Sequence, residues 1–468
     1  MLGKHSIFKI ISLMIVGVMA LTACGPAETP TPEVIIMTEV VEKEGETIVQ
    51  VVTATPEPVV EVEKPSGDLV LWGWSYDVFQ TPGLFDEFQE EYPDITLEVV
   101  TYSAGDTYQN LQLALSAGSG GPDVVQIENS RLAGFVRMGG LLDITEKVTP
   151  YLDIMNDYKW ADAELDGKYY AMPWDSGPVV MYYRRDVFEQ AGLPTSPDEV
   201  SALVATWDDY LEVCKTIKEE TGRDCFAHNK ANNFGRLYEM ALWQQGLGYY
   251  NGAGEVTVDS PENIATLEKL GEFWEAGVCS DQLEWTDGWY AEMNSLDEPV
   301  ATLVEASWMG VFLKSWIAGD TAGRWGVTYM PAMEEGQVRA SNDGGSTLAI
   351  LEESENQEAA WAFVEFMLGR RESALRSFAY SDFLPALETT YDDHLFIESD
   401  SFFGGQVTRQ IYLDVAQKIP RAYVYGPDYN LMNGYVSTAI QNYSQGLMSA
   451  EDALIEAADQ IRAQTGMP

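Results

Sequence analysis

The stretch Gly167 to Pro194, GKYYAMPWDSGPVVMYYRRDVFEQAGLP, constrains the fold of this chain more than any other. Tyr169 to Trp174 alternates bulky and small residues, Asp175-Ser176-Gly177-Pro178 interrupts the run, and Val179 to Tyr183 resumes it with β-branched and aromatic residues. Two short strands therefore meet at a break. Asp186 can cap a helix from Val187 to Ala191, with Gly192 in the left-handed stop position and Pro194 preventing continuation. Strand, break, strand and short helix is the order needed where a chain crosses from one lobe to another. Periodicity alone also fits an ordinary hairpin or a bulged strand. At 468 residues the chain exceeds the usual span of one core, and 46% hydrophobic residues can fill two.

Upstream, Leu69-Val70-Leu71-Trp72 reads as a buried strand, a helix follows from about Pro82 to Glu91, and Ile95 to Val100 supplies the next strand, a βαβ opening. Tyr108 to Ala117 is a helix ending in Gly118-Ser119-Gly120-Gly121-Pro122, a helix stop and not a phosphate cradle, because no Walker lysine follows. Asp123 to Ile127 is the third strand and leads to Glu128-Asn129. Downstream, Thr206-Trp207-Asp208-Asp209 is a capping box opening a helix to about Glu220, and Ser260-Pro261 opens another that ends at Gly277. Trp325 to Pro331 and Gly344 to Ile350 read as neighbouring strands that return to the first lobe. Ser354-x-x-Gln357 reads as a helix cap, Phe383 to Ala386 marks a further crossing, and Ser449 caps the last helix.

The N-terminus has a different character. Lys4 and Lys9 precede an apolar run from Ile10 to Ala20, too short for a membrane span and suited to a secretory signal over residues 1–23. Leu21-Thr22-Ala23-Cys24 resembles the bacterial lipobox, which implies lipidation at Cys24 and an anchored mature chain. From 24 to 66, Thr-Pro repeats and many glutamates with no aromatic residue predict a disordered, solvated stalk, although its valine runs alternate like strands.

The formal net charge of −47 repels phosphate backbones, which excludes nucleic acid as a partner. With lipidation at Cys24, three cysteines remain in an oxidising compartment. Cys214 and Cys225 are candidates for a bridge, the alternative being three free thiols. His228 and His394 lie far apart in the chain and no Gly-x-Ser-x-Gly elbow occurs, so no metal, cofactor or hydrolase triad is expected. A carboxylate pair for glycoside cleavage stays open, since acidic residues number 74. Aromatic and polar residues interleave at Trp72 to Asp77, Trp174-Asp175, Asp281 to Tyr290, Glu305 to Trp308 and Tyr423 to Asn430. Such mixtures suit the apolar faces and hydroxyl rims of sugars.

The crossing segment resembles the G-K-x-Y-x-x-P…YY-(N/R)-(K/R)-D-x-F-x-x-A-G-L-P stretch of family 1 extracellular solute-binding proteins, and Gly139-Gly-Leu-Leu-Asp-Ile-Thr145 resembles the same family. The resemblance covers most of the chain from Leu69 onward. It implies an α/β, two-lobed type II periplasmic-binding-protein fold with a hinge. The lobes implied are 67–178 with 325–381, and 179–324 with 382–468. It also implies capture of a sugar or oligosaccharide, delivery to ATP-binding-cassette permease subunits, and a monomer, which the lipobox would anchor at the extracellular face of the bacterial cytoplasmic membrane or in the periplasm. Carried over position by position, the ligand contacts are Trp74, Ser75, Tyr76, Glu128, Asn129, Asp175, Trp308, Gly345 and Tyr429. Ala306 departs from the common glycine, and the acidic–lysine pair that follows strand one in maltose-binding members is absent. A polyamine or other cationic solute is the alternative ligand, and a surface glycoside hydrolase the alternative class.

Overall fold

The computed structural model describes residues 36–43, 46–53, 64–228, 234–420 and 425–468, and divides into two units, Met1–Lys64 and Pro65–Pro468. The signal sequence and Cys24 lie outside the described residues. In the first unit Ile36–Lys43 and Glu46–Thr53 pair as an antiparallel hairpin, in register from Ile36 opposite Thr53 to Lys43 opposite Glu46. This corrects the expectation of a disordered stalk over those residues. The alternating valines, isoleucines and threonines satisfy the strand period, and every proline of the region lies outside the two strands.

Among the described residues, the larger unit has eight strands of three or more residues: β1 (Gly67–Gly73), β2 (Ile95–Thr101), β3 (Val124–Glu128), β4 (Ala171–Pro173), β5 (Val179–Arg184), β6 (Thr302–Ala306), β7 (Trp325–Tyr329) and β8 (Ser346–Ile350). The first lobe's sheet has the order β2-β1-β3-β8-β4, with β1 parallel to β2 and β3, and β8 antiparallel to β3 and β4. The second lobe's sheet is β6-β5-β7, antiparallel throughout. Every residue of β5 is buried because both faces are covered. Val179, Met181 and Tyr183 enter one apolar core and Val180 and Tyr182 enter the other, as the two-residue strand period requires.

Strand β7 corrects the expectation that Trp325 begins the return to the first lobe. It pairs with β5, and Trp325 and Val327 pack with Tyr182 and Leu303 in a second-lobe core. The return is made by β8 alone. An apolar run identifies a strand but not the sheet that accepts it. Ser354 is also not the cap residue of its helix. Asn356 precedes Gln357–Val364, and the Ser354 hydroxyl accepts from the Asn356 N–H (3.1 Å) while donating to Asp123.

The chain crosses between lobes at 174–178, 342–345 and 383–386. Asp175-Ser176 pairs antiparallel with Leu384-Pro385, and Pro178 bridges Asn342, so the three crossings lie side by side. Gly177 donates to Asn342 Oδ1 (3.0 Å) and its carbonyl accepts from the Asp343 N–H (2.8 Å). A Cβ at Gly177 would stand 1.9 Å from the Asp343 carbonyl oxygen, so only glycine lets these crossings touch.

The Thr206 capping box opens the helix Trp207–Thr221, Gly222 ends it at φ 72°, and the reversal brings Cys225 back to Cys214 in a disulfide with Cα atoms 5.1 Å apart. Cys279 stands outside the bridge. In protein lacking Cys24, unfolded without reductant, thiol titration is expected to find one thiol per chain and three after reduction. Three before reduction contradicts the bridge.

Candidate functional site

A cavity of about 530 Å³ opens where the crossings meet the carboxyl ends of β1, β3 and β6, the place where open α/β sheets present their loops. On the first-lobe side Trp74 and Ser75 follow β1. Both backbone N–H groups donate to Gln126 Oε1 (3.0 and 3.1 Å), and Gln126 Nε2 donates to Ser346 Oγ (3.2 Å). One buried amide in the middle of β3 thus pins the β1 loop to the start of β8. Glu128 ends β3 and accepts from Ser130 Oγ (2.9 Å), and Asp175 Oδ1 accepts from the Ser346 N–H (2.8 Å). Gly345 has φ 98°, and a Cβ there would lie 2.6 Å from the Asp175 carbonyl oxygen.

On the second-lobe side β6 delivers Trp308 to the cavity wall. Its indole N–H donates to the Asp343 carbonyl (3.0 Å), and Trp285 stacks beside it at 6.1 Å between centroids. Arg236, on the helix Phe234–Gln244, sits 5.4 Å from the Trp308 ring centroid. Its guanidinium donates to Glu305 Oε1 (3.0 Å) and to the Asp343 carboxylate. Phe312 of the second lobe and Phe383 of the third crossing also line the cavity, with ring centroids 6.3 Å apart.

The acids here are held toward their neutral forms. Burial pushes the Asp175 carboxyl up to about 6 against the Ser346 N–H and the Lys159 charge. Burial also raises Glu128, with Asp343 adding like-charge repulsion, and lifts Glu305 well above the carboxylate range despite Arg236. Rings flanked by carboxyls, amides and a guanidinium can stack on an apolar face while exchanging hydrogen bonds with hydroxyls.

Of the residues expected in the site, Trp74, Ser75, Glu128, Asp175, Trp308 and Gly345 line this cavity. Three do not. Tyr76 is buried in the first-lobe core against Phe85, Phe363 and Trp174, because the turn after Ser75 swings it beneath the sheet. Asn129 is fully buried, donating from Nδ2 to Asp162 (3.1 Å) and from its backbone to Gly345 (3.0 Å), so it holds the second crossing in place. Tyr429 is buried in the second lobe, where its hydroxyl donates to Glu239 (2.8 Å). Sequence reasoning missed Arg236, Gln126 and Asp343. Trp285 lies within the aromatic Asp281 to Tyr290 run, whereas a single arginine on an amphipathic helix carries no sequence signal.

A family model described as bacterial extracellular solute-binding protein matches residues 80–373. The arabinooligosaccharide-binding protein of Halalkalibacterium halodurans is 28% identical over 414 residues, covering 85% of this chain and 89% of that one. The lactose-binding protein of Rhizobium radiobacter is 27% identical, covering 80% and 87%. Among solved structures, an ABC-transporter-associated binding protein from B. animalis subsp. lactis, in complex with β-1,6-galactobiose, superposes with a TM-score of 0.72 at 22% identity, covering 86% of this chain and 99% of that one. That likeness shows the two-lobed fold.

The raised Asp175 carboxyl makes stability depend on pH. Its penalty is absent while the group is protonated in both folded and unfolded chains, grows as pH rises from about 4 to about 6, and stays constant above that. Asp175→Asn keeps an acceptor for Ser346 and is expected to stabilise the unliganded protein by roughly 1–3 kcal/mol above pH 6 and by little at pH 4. Urea unfolding of both proteins from pH 4 to 8 checks this; a difference that does not grow with pH contradicts it.

Proposed function

The chain belongs to the bacterial extracellular solute-binding protein family, and on that premise we propose that its cleft captures a neutral sugar or oligosaccharide and hands it to ATP-binding-cassette permease subunits. The observation that carries the reading is the pairing of the Trp74 and Trp308 rings with Glu128, Asp175 and Asp343 around one cavity. Aromatic faces meet the C–H faces of a sugar, and carboxyl groups meet its hydroxyls. Arg236 already engages Glu305 and Asp343, so a polyamine would have to compete with a guanidinium in place. The names of the arabinooligosaccharide- and lactose-binding relatives point the same way. The protein binds and releases its ligand without transforming it and acts as a monomer. Cys24 carries the lipid that holds it at the outer face of the membrane, and Cys24→Ala is expected to move it from the membrane fraction to the soluble one.

A thermal-shift panel of neutral mono- and oligosaccharides against polyamines tests the ligand class, because a ligand at 100 times its dissociation constant adds about 2.7 kcal/mol of apparent stability. A saccharide hit is expected; a polyamine hit alone contradicts the reading. Trp308→Ala is then expected to weaken binding of the hit by about thirtyfold to a thousandfold, the loss of an anchor worth about 2–4 kcal/mol. Unliganded stability should fall by about 2–4 kcal/mol, for the lost indole hydrogen bond and the ring contacts with Arg236, Trp285 and Phe312, with the fold intact. Unchanged affinity in calorimetric titration, or a collapse of the unliganded fold, removes Trp308 from the site.

A further inference from the structure

The aromatic wall does not stop at the cavity. Trp308, Phe312 and Trp316 recur every fourth residue through Met309–Phe312 and the π-helical turn Leu313–Ile317, with ring centroids 5.6 and 5.7 Å apart. Trp285 flanks Phe312 at 6.2 Å and Tyr290 meets Trp316 edge-on at 5.0 Å. The row begins at rings that line the cavity and ends at Trp316, which is 53% exposed, while Trp285 is 40% exposed. Leaving indoles in water forgoes apolar burial that the nearby core offers to Trp289 and Trp325, both fully buried.

Two backbone features hold the row in this form. Trp285 carries φ 60°, a left-handed conformation that costs energy for a tryptophan, and such strain gathers at ligand clamps. The π-helical turn widens the helix at the position of Trp316, and such turns recur at functional sites. Polar groups alternate with the rings. Ser315, next to Trp316 in the chain, and Asp287, two residues after Trp285, are exposed.

We propose that this row is an outer extension of the saccharide site. One end of an oligosaccharide lies in the cavity and the following units stack along Phe312, Trp285 and Trp316 outside it, so the protein selects chains longer than a disaccharide. The proposal rests on the sugar-capturing reading above. Faces of successive rings meet faces of successive sugar units, and the exposed carboxylate and hydroxyls beside them exchange hydrogen bonds with sugar hydroxyls.

The test is calorimetric titration of the full-length protein with two ladders, arabinooligosaccharides and β-1,6-galactooligosaccharides, from disaccharide to hexasaccharide. Wild-type affinity is expected to rise with length. Trp316→Ala is expected to lose about tenfold on the longest members and nothing on the disaccharide, with an unchanged melting temperature, and Trp316→Tyr to recover most of the loss. Equal wild-type affinity for all lengths overturns the extension and leaves the sugar reading standing. So does a Trp316→Ala variant that binds every length as tightly as wild type, as expected if the row docks a protein instead, or one that weakens every length equally. Failure of both ladders to bind wild-type protein overturns the extension, and the sugar reading falls with it only if the thermal-shift panel also yields no saccharide hit.

Discussion

Arg236 is the cation on which the cleft depends. It joins a second-lobe helix to Glu305 at the end of β6 and to Asp343 in the second crossing, and its guanidinium lies against Trp308. Glu305 is fully buried, with Glu284 and Asp343 adding like charge. Without the arginine, Glu305 and Asp343 would face one another with no cation between them, which would push Glu305 still further toward its neutral form. The same contact aligns the site. Asp343 accepts Trp308's indole N–H on its carbonyl and Arg236 on its carboxylate, so one crossing residue fixes both the ring and the cation that faces it.

Three crossings meeting at one place explain why the cavity is there. Gly177 allows the first two to touch, Asn342 caps its N–H, and the short pairing of Asp175-Ser176 with Leu384-Pro385 adds the third. Each crossing is a few residues long, and large φ and ψ changes at such points let two packed lobes turn as bodies. The loops after β1, β3 and β6 face one another across the cavity, so such a turn would change the gap between them. A ligand that touches both lobes then favours the closed arrangement by the difference in its contacts.

Much of this was legible in the sequence because local rules sufficed. The break at Asp175 to Pro178, the Thr206 capping box, the Ser260 and Ser449 caps and the strand ends at Trp74 and Glu128 each follow from neighbours a few residues away. What was hidden depends on partners far along the chain. The sheet that accepts β7, the Glu239 partner of Tyr429 and the Asp162 partner of Asn129 are 190 and 33 residues distant in the latter two cases, and no pattern in the chain reports them. The hairpin at Ile36–Thr53 was misread for another reason, since composition outweighed a correct strand period. Trp308 was found because it follows a strand, whereas Arg236, equally close to the cavity, sits on a helix whose polar positions look alike.

Native mass spectrometry of the protein, incubated overnight with a mixed pool of neutral oligosaccharides and polyamines, separates capture of a neutral sugar from its alternatives. One saccharide per chain is expected in the bound species, with no polyamine adduct and an oligosaccharide pool whose masses are unchanged. A polyamine adduct in place of the saccharide, or shortened saccharides appearing with time, would contradict that capture.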